Sequence, residues 1–214
     1  ANTTGTDNTA VGVSSLGGNT TGGANVAVGR AALLGNTTGG NNTAVGYQSL
    51  KDNTTGGANV AVGYNALQNN TTASNNIAIG QSALDVCTTG NSNIAIGRDT
   101  GVALTTSANE NVMIGYQAGK SLTTISYQNT LIGTNAANDL TSSSNYNTCI
   151  GNNSGNSITN NAAHNIFIGH SSTTYSGDSD RQICIGTDIS SIGQDYITLG
   201  RNTSGRVYNQ FSSN

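Results

Sequence analysis

The chain has 214 residues, of which only 8% are charged and 29 are glycine, with no proline or tryptophan. Its net charge is −3, and the seven lysines and arginines are scattered, so no basic patch predicts a nucleic-acid partner. No apolar run approaches the ~18 residues of a membrane span. The composition resembles that of a disordered chain. However, valine, isoleucine and threonine recur at fixed spacing, which predicts an ordered repeat protein.

The first strand-like run, "TAV" at residues 9–11, ends at Gly12, and a similar apolar run followed by glycine recurs along the chain. Successive glycines, called the corner glycines below, are separated by 17 residues five times, by 18 four times, then by 17 and 14. They are Gly12, Gly29, Gly46, Gly63, Gly80, Gly97, Gly115, Gly133, Gly151, Gly169, Gly186 and Gly200. Seventeen residues are too few for a strand and a crossover helix. The pattern therefore predicts an all-β, parallel β-solenoid of about 12 coils with a positive-φ glycine at each corner.

Two residues of each strand, one and three before the corner glycine, share a face because side chains alternate along a strand. These flanking columns hold valine, isoleucine, leucine or threonine and are predicted to face the interior. In the 17-residue repeats a leucine follows four residues after the glycine: Leu16, Leu33, Leu50, Leu67 and Leu84. In the 18-residue repeats glycine or alanine stands there, and an apolar residue follows at the seventh position: Leu104, Leu122, Leu140 and Ile158. We expect two coil types that fill one interior differently.

The central column, two residues before each corner glycine, carries no charge. Its members are Ala10, Ala27, Ala44, Ala61, Ala78, Ala95, Met113, Leu131, Cys149, Phe167, Cys184 and Thr198. If the flanking columns face inwards, this column faces outwards, and a strand that is apolar on both faces is buried on both. The column is therefore predicted to pack against other chains around a shared axis, with the larger residues marking chains that spread apart.

Two polar columns are predicted to form ladders along the solenoid. Pairs of threonines recur from Thr20-Thr21 to Thr123-Thr124, and their hydroxyls are expected to bond along the axis. An asparagine column runs through Asn8, Asn25, Asn42, Asn59, Asn76, Asn93, Asn111, Asn129, Asn147 and Asn165. Stacked asparagine side chains satisfy one another's amides, so a structural role is the favoured interpretation of both columns.

The "N-[TVI]-A-[VI]-G" strand resembles the head β-roll of trimeric autotransporter adhesins. The longer pattern "GYQSLKDNTTGGANVAVGYNAL" from Gly46, with "NVMIGYQAG" and "DYITLG", is more similar to the repeat shafts of bacteriophage tail fibres. Autotransporter coils have about 14 residues, a length found here only between Gly186 and Gly200, which favours the fibre. The resemblance covers residues 8–200. It implies a parallel homotrimer of left-handed β-rolls with the central column at the threefold axis.

The resemblance implies a structural and interaction protein, the shaft of a trimeric fibre on a virion tail, that attaches to a glycan or protein receptor on a host surface. Residues 1–200 are predicted to form the shaft. Residues 201–214 would lead towards a chaperone or tip domain that is missing or removed. The alternatives are a bacterial trimeric surface adhesin and an ice-binding solenoid, the latter motivated by the threonine pairs.

Residues for catalysis or metal binding are not apparent, so we expect no enzyme activity, metal site or cofactor. Among the acidic residues only Asp178, Asp180 and Asp188 cluster, and a solvated loop is the favoured interpretation. The cysteines, Cys87, Cys149 and Cys184, are predicted to be buried free thiols. Tyr47, Tyr64 and Tyr116 directly follow corner glycines. If exposed, their rings could contact glycans; the alternative is that they pack at the coil corner.

Overall fold

The structure, a computed structural model, describes residues 2–123, 126–141, 143–158, 161–174, 180–201 and 204–210. These residues form one 13-stranded sheet in which the strands follow one another in chain order. Twelve successive strands pair in parallel, and the eleven connections that join them make about eleven turns of a solenoid, the architecture that the sequence predicted. The described residues contain no helix. The all-β solenoid is therefore confirmed.

Most strands are three residues long and lie in perfect register. They are β1 Thr9–Val11, β2 Val26–Val28, β3 Thr43–Val45, β4 Val60–Val62, β5 Ile77–Ile79, β6 Ile94–Ile96, β7 Val112–Ile114, β8 Thr130–Ile132, β9 Thr148–Ile150, β10 Ile166–Ile168, β11 Ile183–Thr187, β12 Tyr196–Arg201 and β13 Ser204–Gln210. The last strand, β13, reverses direction and pairs antiparallel with β12.

The central column lies inside the coil, so its predicted outward orientation is wrong. Ala27, Ala44, Ala61, Ala78, Ala95, Met113, Leu131, Cys149, Phe167, Cys184 and Thr198 are all 0% exposed within a single chain. Ala10 belongs to β1, whose three residues are all exposed. The flanking columns take the outer face and are half-buried or exposed. Because burial is complete within one chain, this column cannot line an axis shared with other chains.

The asparagine column explains why the strand faces this way. Asn59 lies two residues before Ala61 and therefore on the same side of the strand. Its Oδ1 accepts from the backbone N–H of Asn76 at 3.0 Å, and its Nδ2 donates to the carbonyl of Ala73 at 2.9 Å. Such bonds hold the amide inside the coil, and the central column must follow it. The predicted asparagine ladder is confirmed. It indicates which face of the strand lies inside the coil, which the apolar pattern did not indicate.

The larger central residues replace volume that leucine supplies in other coils. A Cβ added to Gly119, at the fourth position, would come within 2.8 Å of Leu131 Cδ1 and 3.0 Å of Met113 Sδ. A Cβ on Gly155 would come within 2.6 Å of Cys149 Sγ. Glycine at the fourth position thus makes room for a bulky central residue. The prediction that these residues mark diverging chains is wrong, because they fill the interior of their own coil.

The seventh position is buried in both coil types, and its chemistry changes along the chain. It holds a second asparagine ladder that the sequence analysis missed: Asn19, Asn36, Asn53 and Asn70. Asn53 Nδ2 donates to Asn36 Oδ1 at 2.7 Å and to the carbonyl of Gly56 at 2.9 Å. Cys87 ends this ladder, and the buried residues Leu104, Leu122, Leu140 and Ile158 continue the column.

The extra residue of the 18-residue coils lies just before the turn into the strand. Asn76 Nδ2 bonds the carbonyl 14 residues ahead, Gly90, whereas Asn93 Nδ2 bonds the carbonyl 15 residues ahead, Ala108. The residue inserted before Ala108 is Ser107, which has a φ of 55°. Ser143 and Asn161 occupy the same place with φ of 61°. A left-handed residue thus absorbs the insertion while the interior contacts keep their register.

The corner glycines have the predicted positive φ, between 122° and 151° in all twelve coils. A Cβ on Gly63 would meet the carbonyl oxygen of Gly80 in the next coil at 2.6 Å. Both the backbone conformation and the close approach of neighbouring coils therefore require glycine at this position.

Candidate functional surfaces

The outer face of the sheet is a continuous apolar surface formed by the two flanking columns. Strands β1–β11 contain no charged residue. Ile79, Ile150, Ile185 and Leu199 each keep 37–38% of their surface exposed, and most other flanking residues are half-buried. With one strand every ~4.8 Å, β1–β12 give this stripe a length of roughly 50 Å. Contiguous apolar surfaces of this size mark interaction sites in soluble proteins.

Tyr47 and Tyr64 form a ladder on the corner that borders this face. Their rings stack with centroids 5.2 Å apart and planes 8° from parallel. The guanidinium of Arg30 lies over the Tyr47 ring, 5.7 Å from its centroid. Arg30 and Tyr64 belong to the coils before and after Tyr47, so the two ring faces of Tyr47 are covered. Tyr64 is 52% exposed.

Tyr116 lies in the same corner column three coils beyond Tyr64, and the guanidinium of Arg98 lies 5.5 Å from its ring centroid. Its exposed fraction is 41%. The corner tyrosines therefore present ring edges and hydroxyls to solvent, whereas arginine or tyrosine neighbours in adjacent coils cover ring faces. Both halves of the sequence-based interpretation apply to them, because they pack along the corner and remain partly exposed. Glycan contact at these residues stays a prediction.

A second polar and aromatic surface lies at the opposite end of the strands from the corner glycines. Its residues stand five and six positions before each corner glycine, just before the strand begins. Here Gln128 Nε2 donates to Glu110 Oε2 at 2.7 Å. The Tyr146 ring stacks on the His164 ring with centroids 4.8 Å apart. Glu110, Gln128 and Tyr146 border a cavity of about 520 Å³. The sequence analysis missed this surface, although large side chains at equivalent positions of successive 18-residue coils were visible in the repeat alignment.

The two threonines of a pair differ in exposure: the first is half-buried and the second is exposed. In the first four predicted pairs the hydroxyl of the first threonine bonds along the axis, as predicted: Thr20 donates to the carbonyl of Thr37 at 2.8 Å, and Thr54 to that of Thr71 at 2.9 Å. The second residue, as at Thr38 or Thr55, is exposed. In these four pairs one hydroxyl therefore helps to hold neighbouring coils together.

Charged side chains near the C-terminal coils form surface pairs. Arg181 Nε donates to Asp195 Oδ1 at 2.6 Å, and this hydrogen bond lowers the pKa of Asp195 below its ordinary value. His170 Nδ1 lies 2.9 Å from Asp188 Oδ1. Asp178 of the predicted acidic cluster lies outside the described residues. Among the residues that are described, no group of three histidine, cysteine or acidic side chains could hold a metal ion.

The three cysteines are buried and form no disulfide with one another, as the sequence predicted. Burial raises the pKa of the Cys87 thiol to about 11, although its hydrogen bond to the carbonyl of Gly90 opposes the shift. Burial also raises the pKa of Cys149. Both thiols therefore stay protonated at neutral pH and act as small apolar side chains.

Comparison with protein-family models, curated proteins and solved structures finds no match for this chain. No helix in the described part of the chain is long and apolar enough to cross a membrane.

Proposed function

We propose that this chain is the shaft of a trimeric fibre of the phage-tail type, which is extracellular and mediates attachment to a host surface. The observation that carries the proposal is the outer apolar face, because eleven consecutive strands present half-exposed valine, isoleucine and threonine without one charged side chain. A monomer would keep this stripe in water at a large hydrophobic cost. Further copies of the same chain, packed sheet to sheet, would cover it.

The flanking columns thus take the role that the sequence analysis gave to the central column. Corresponding coils have the same spacing in every copy of the chain. Parallel copies would therefore keep valine and isoleucine side chains in contact along the whole stripe. The number three rests on the resemblance to tail-fibre shafts and adhesin heads. The hydrogen-bonded asparagine ladders inside the coil and the lack of charged residues in β1–β11 agree with a mechanical role. The bacterial surface adhesin remains the alternative, and it has the same assembly.

Val28→Lys with Val62→Lys, two strands apart on the outer face, tests the assembly. Light scattering of the wild type should give three times the 21.5 kDa of one chain. In the double variant four or more lysines would be forced into a desolvated seam, so we expect loss of the trimer at micromolar concentration. The matched control is Thr38→Lys with Thr72→Lys, which has the same spacing at exposed positions and should remain trimeric.

A monomeric wild-type protein would refute the proposal. A mass of two chains would replace the trimer by a sheet-on-sheet dimer. A double lysine variant that keeps the wild-type mass would show that the flanking columns are not the seam. Substitution of Ala44 or Ala61 by glutamate does not discriminate, because both residues lie inside the single chain and the charge would destabilise a monomer as well.

A further inference from the structure

The cavity beside the sheet lies where the solenoid changes from 17- to 18-residue coils. Its lining comes from four successive coils and includes Asn109, Glu110, Tyr127, Gln128 and Tyr146. At ~4.8 Å per coil, three spacings make it roughly 14 Å long. Earlier coils place smaller side chains than tyrosine, glutamine or glutamate at the equivalent positions, such as Gly40 and Asn41 or Gly57 and Ala58. Long side chains, those of Glu110, Tyr127, Gln128 and Tyr146, form much of the cavity wall, and its volume of about 520 Å³ lies in the range of small-molecule sites.

The polar groups of this cavity are held in place before any ligand arrives. Gln128 Nε2 donates to Glu110 Oε2 at 2.7 Å. Asn109 Oδ1 accepts from the backbone N–H of Asn91 at 2.7 Å. The backbones of Asn109 and Tyr127 pair as a parallel bridge. The Gln128 amide and the Glu110 carboxylate are thus paired across adjacent coils.

Tyr146 gives the cavity an apolar wall. One face of its ring is covered by the parallel ring of His164, at a centroid distance of 4.8 Å and an angle of 5°. The side chain is 50% exposed and borders the cavity. A ring that is supported from behind by a second ring makes a rigid platform, because its rotation would break the stack.

We propose that this cavity binds a short, uncharged oligosaccharide. Sugar hydroxyls donate and accept hydrogen bonds, which matches the paired amide and carboxylate, and the apolar face of a sugar ring matches the tyrosine wall. Glu110 is the one charged lining residue, and no lysine, arginine or histidine lines the cavity. Acidic sugars and phosphorylated ligands would therefore meet an uncompensated negative charge. The site deepens the proposed attachment function, on which its biological role rests, and is distinct from Tyr47, Tyr64 and Tyr116.

The test is binding of soluble trisaccharides to the full chain, followed by saturation-transfer NMR and calorimetry. Neutral trisaccharides of glucose and of N-acetylglucosamine are the probes, and a sialylated trisaccharide is the acidic comparison. We expect at least one neutral probe to bind and the acidic probe to bind at least about tenfold more weakly. Tyr146→Ala should weaken neutral binding about tenfold, the size of an aromatic stacking contribution. Val13→Ala, at an exposed apolar residue of the first coil far from the cavity, should leave binding unchanged.

Glu110→Gln separates charge from shape, because it keeps the hydrogen-bonding geometry and removes the repulsion. We expect this variant to retain the neutral probe and to narrow the preference against the acidic one. The inference is overturned if no neutral probe binds at millimolar concentration, if the acidic probe binds best, or if Tyr146→Ala binds the neutral probe as tightly as the wild type. Light scattering of the same samples reports the assembly independently, so a trimer that binds no sugar refutes the site and leaves the fibre shaft standing.

Discussion

The N-terminal and C-terminal coils fill the same interior with different side chains. Between β2 and β6 the central column is alanine, the fourth position is leucine, and the seventh position is mostly an asparagine ladder. From β7 onwards the central residue is larger than alanine. In the coils that follow β7, β8 and β9 the fourth position is glycine or alanine, and the seventh position is leucine or isoleucine. The strand register nevertheless continues without a break across the junction, with Ala95 paired to Met113.

This difference shows that the constraint on a coil is its total interior volume. A leucine at the fourth position and a methionine in the central column occupy the same space, as the 2.8 Å approach of a Gly101 Cβ to Met113 Cε demonstrates. Close-packed interiors have no room for both. The polar ladder follows the same rule, because Asn53 and Asn70 occupy the space that Leu104 and Leu122 take later. A change of side-chain size in one interior column therefore requires a compensating change in another.

The largest effect should come from placing the N-terminal residue type in a C-terminal coil. In Gly119→Leu the new side chain would overlap Leu131 and Met113, and leucine would adopt a φ near 58°. We expect a loss of about 4 kcal/mol in the free energy of unfolding, from overpacking and left-handed strain together. Adding Leu131→Ala should recover part of that loss, because it empties the space that the new leucine needs.

The measurement is chemical denaturation followed by circular dichroism, arranged as a double-mutant cycle. Leu131→Ala alone should destabilise the chain, since it leaves a cavity next to Gly119. Strict additivity of the two single changes would contradict the idea that the fourth position and the central column share one volume.

A smaller effect should follow from truncating the same register position in each half. Leu67→Ala removes a fully buried side chain and should cost about 3 kcal/mol. Ala137→Gly, at the equivalent position with a φ of 48°, should cost under about 1 kcal/mol, because glycine relieves the left-handed conformation that alanine bears. Thermal unfolding curves of the two variants measure the contrast. Equal destabilisation would mean that the C-terminal coils also depend on this position for their packing.

The smallest effect concerns pH and the cysteine that ends the asparagine ladder. The folded chain holds the Cys87 proton until a pKa of about 11, whereas the ordinary value is 9.0. A raised pKa in the folded state gives stability that is present below pH 9 and is lost as pH rises towards 11. We expect the thiol to account for about 1 kcal/mol of the decline between pH 8 and pH 10.

Guanidinium denaturation at those two pH values, compared between wild type and Cys87→Ala, isolates this contribution. The variant should lose less stability than the wild type over the interval. Cys149→Ala provides the counterpart in the C-terminal half, since burial raises the pKa of that thiol as well. A Cys87→Ala variant with an unchanged pH dependence would show that the thiol ionises without unfolding the coil.

The sequence by itself determined the architecture. The interval between corner glycines fixed the number of coils, the strand positions and the parallel register. The glycine at each corner indicated a backbone with positive φ. The asparagine column from Asn25 to Asn165, one residue per coil, indicated a ladder of stacked amides. These conclusions depend on spacing along the chain, and a repeat displays its spacing directly in the sequence.

Only the tertiary structure decided which face of the strand is inside. Central and flanking residues are both apolar in most coils, so alternation alone could not assign alanine at 27 or valine at 28 to the interior. The hydrogen bonds of Asn25 and its counterparts settle the matter, because a buried amide needs partners that exist only inside the coil. The cavity beside Tyr146 and the exchange between leucine and methionine also appear only in three dimensions, since their members come from different coils and meet only when the chain has wound up.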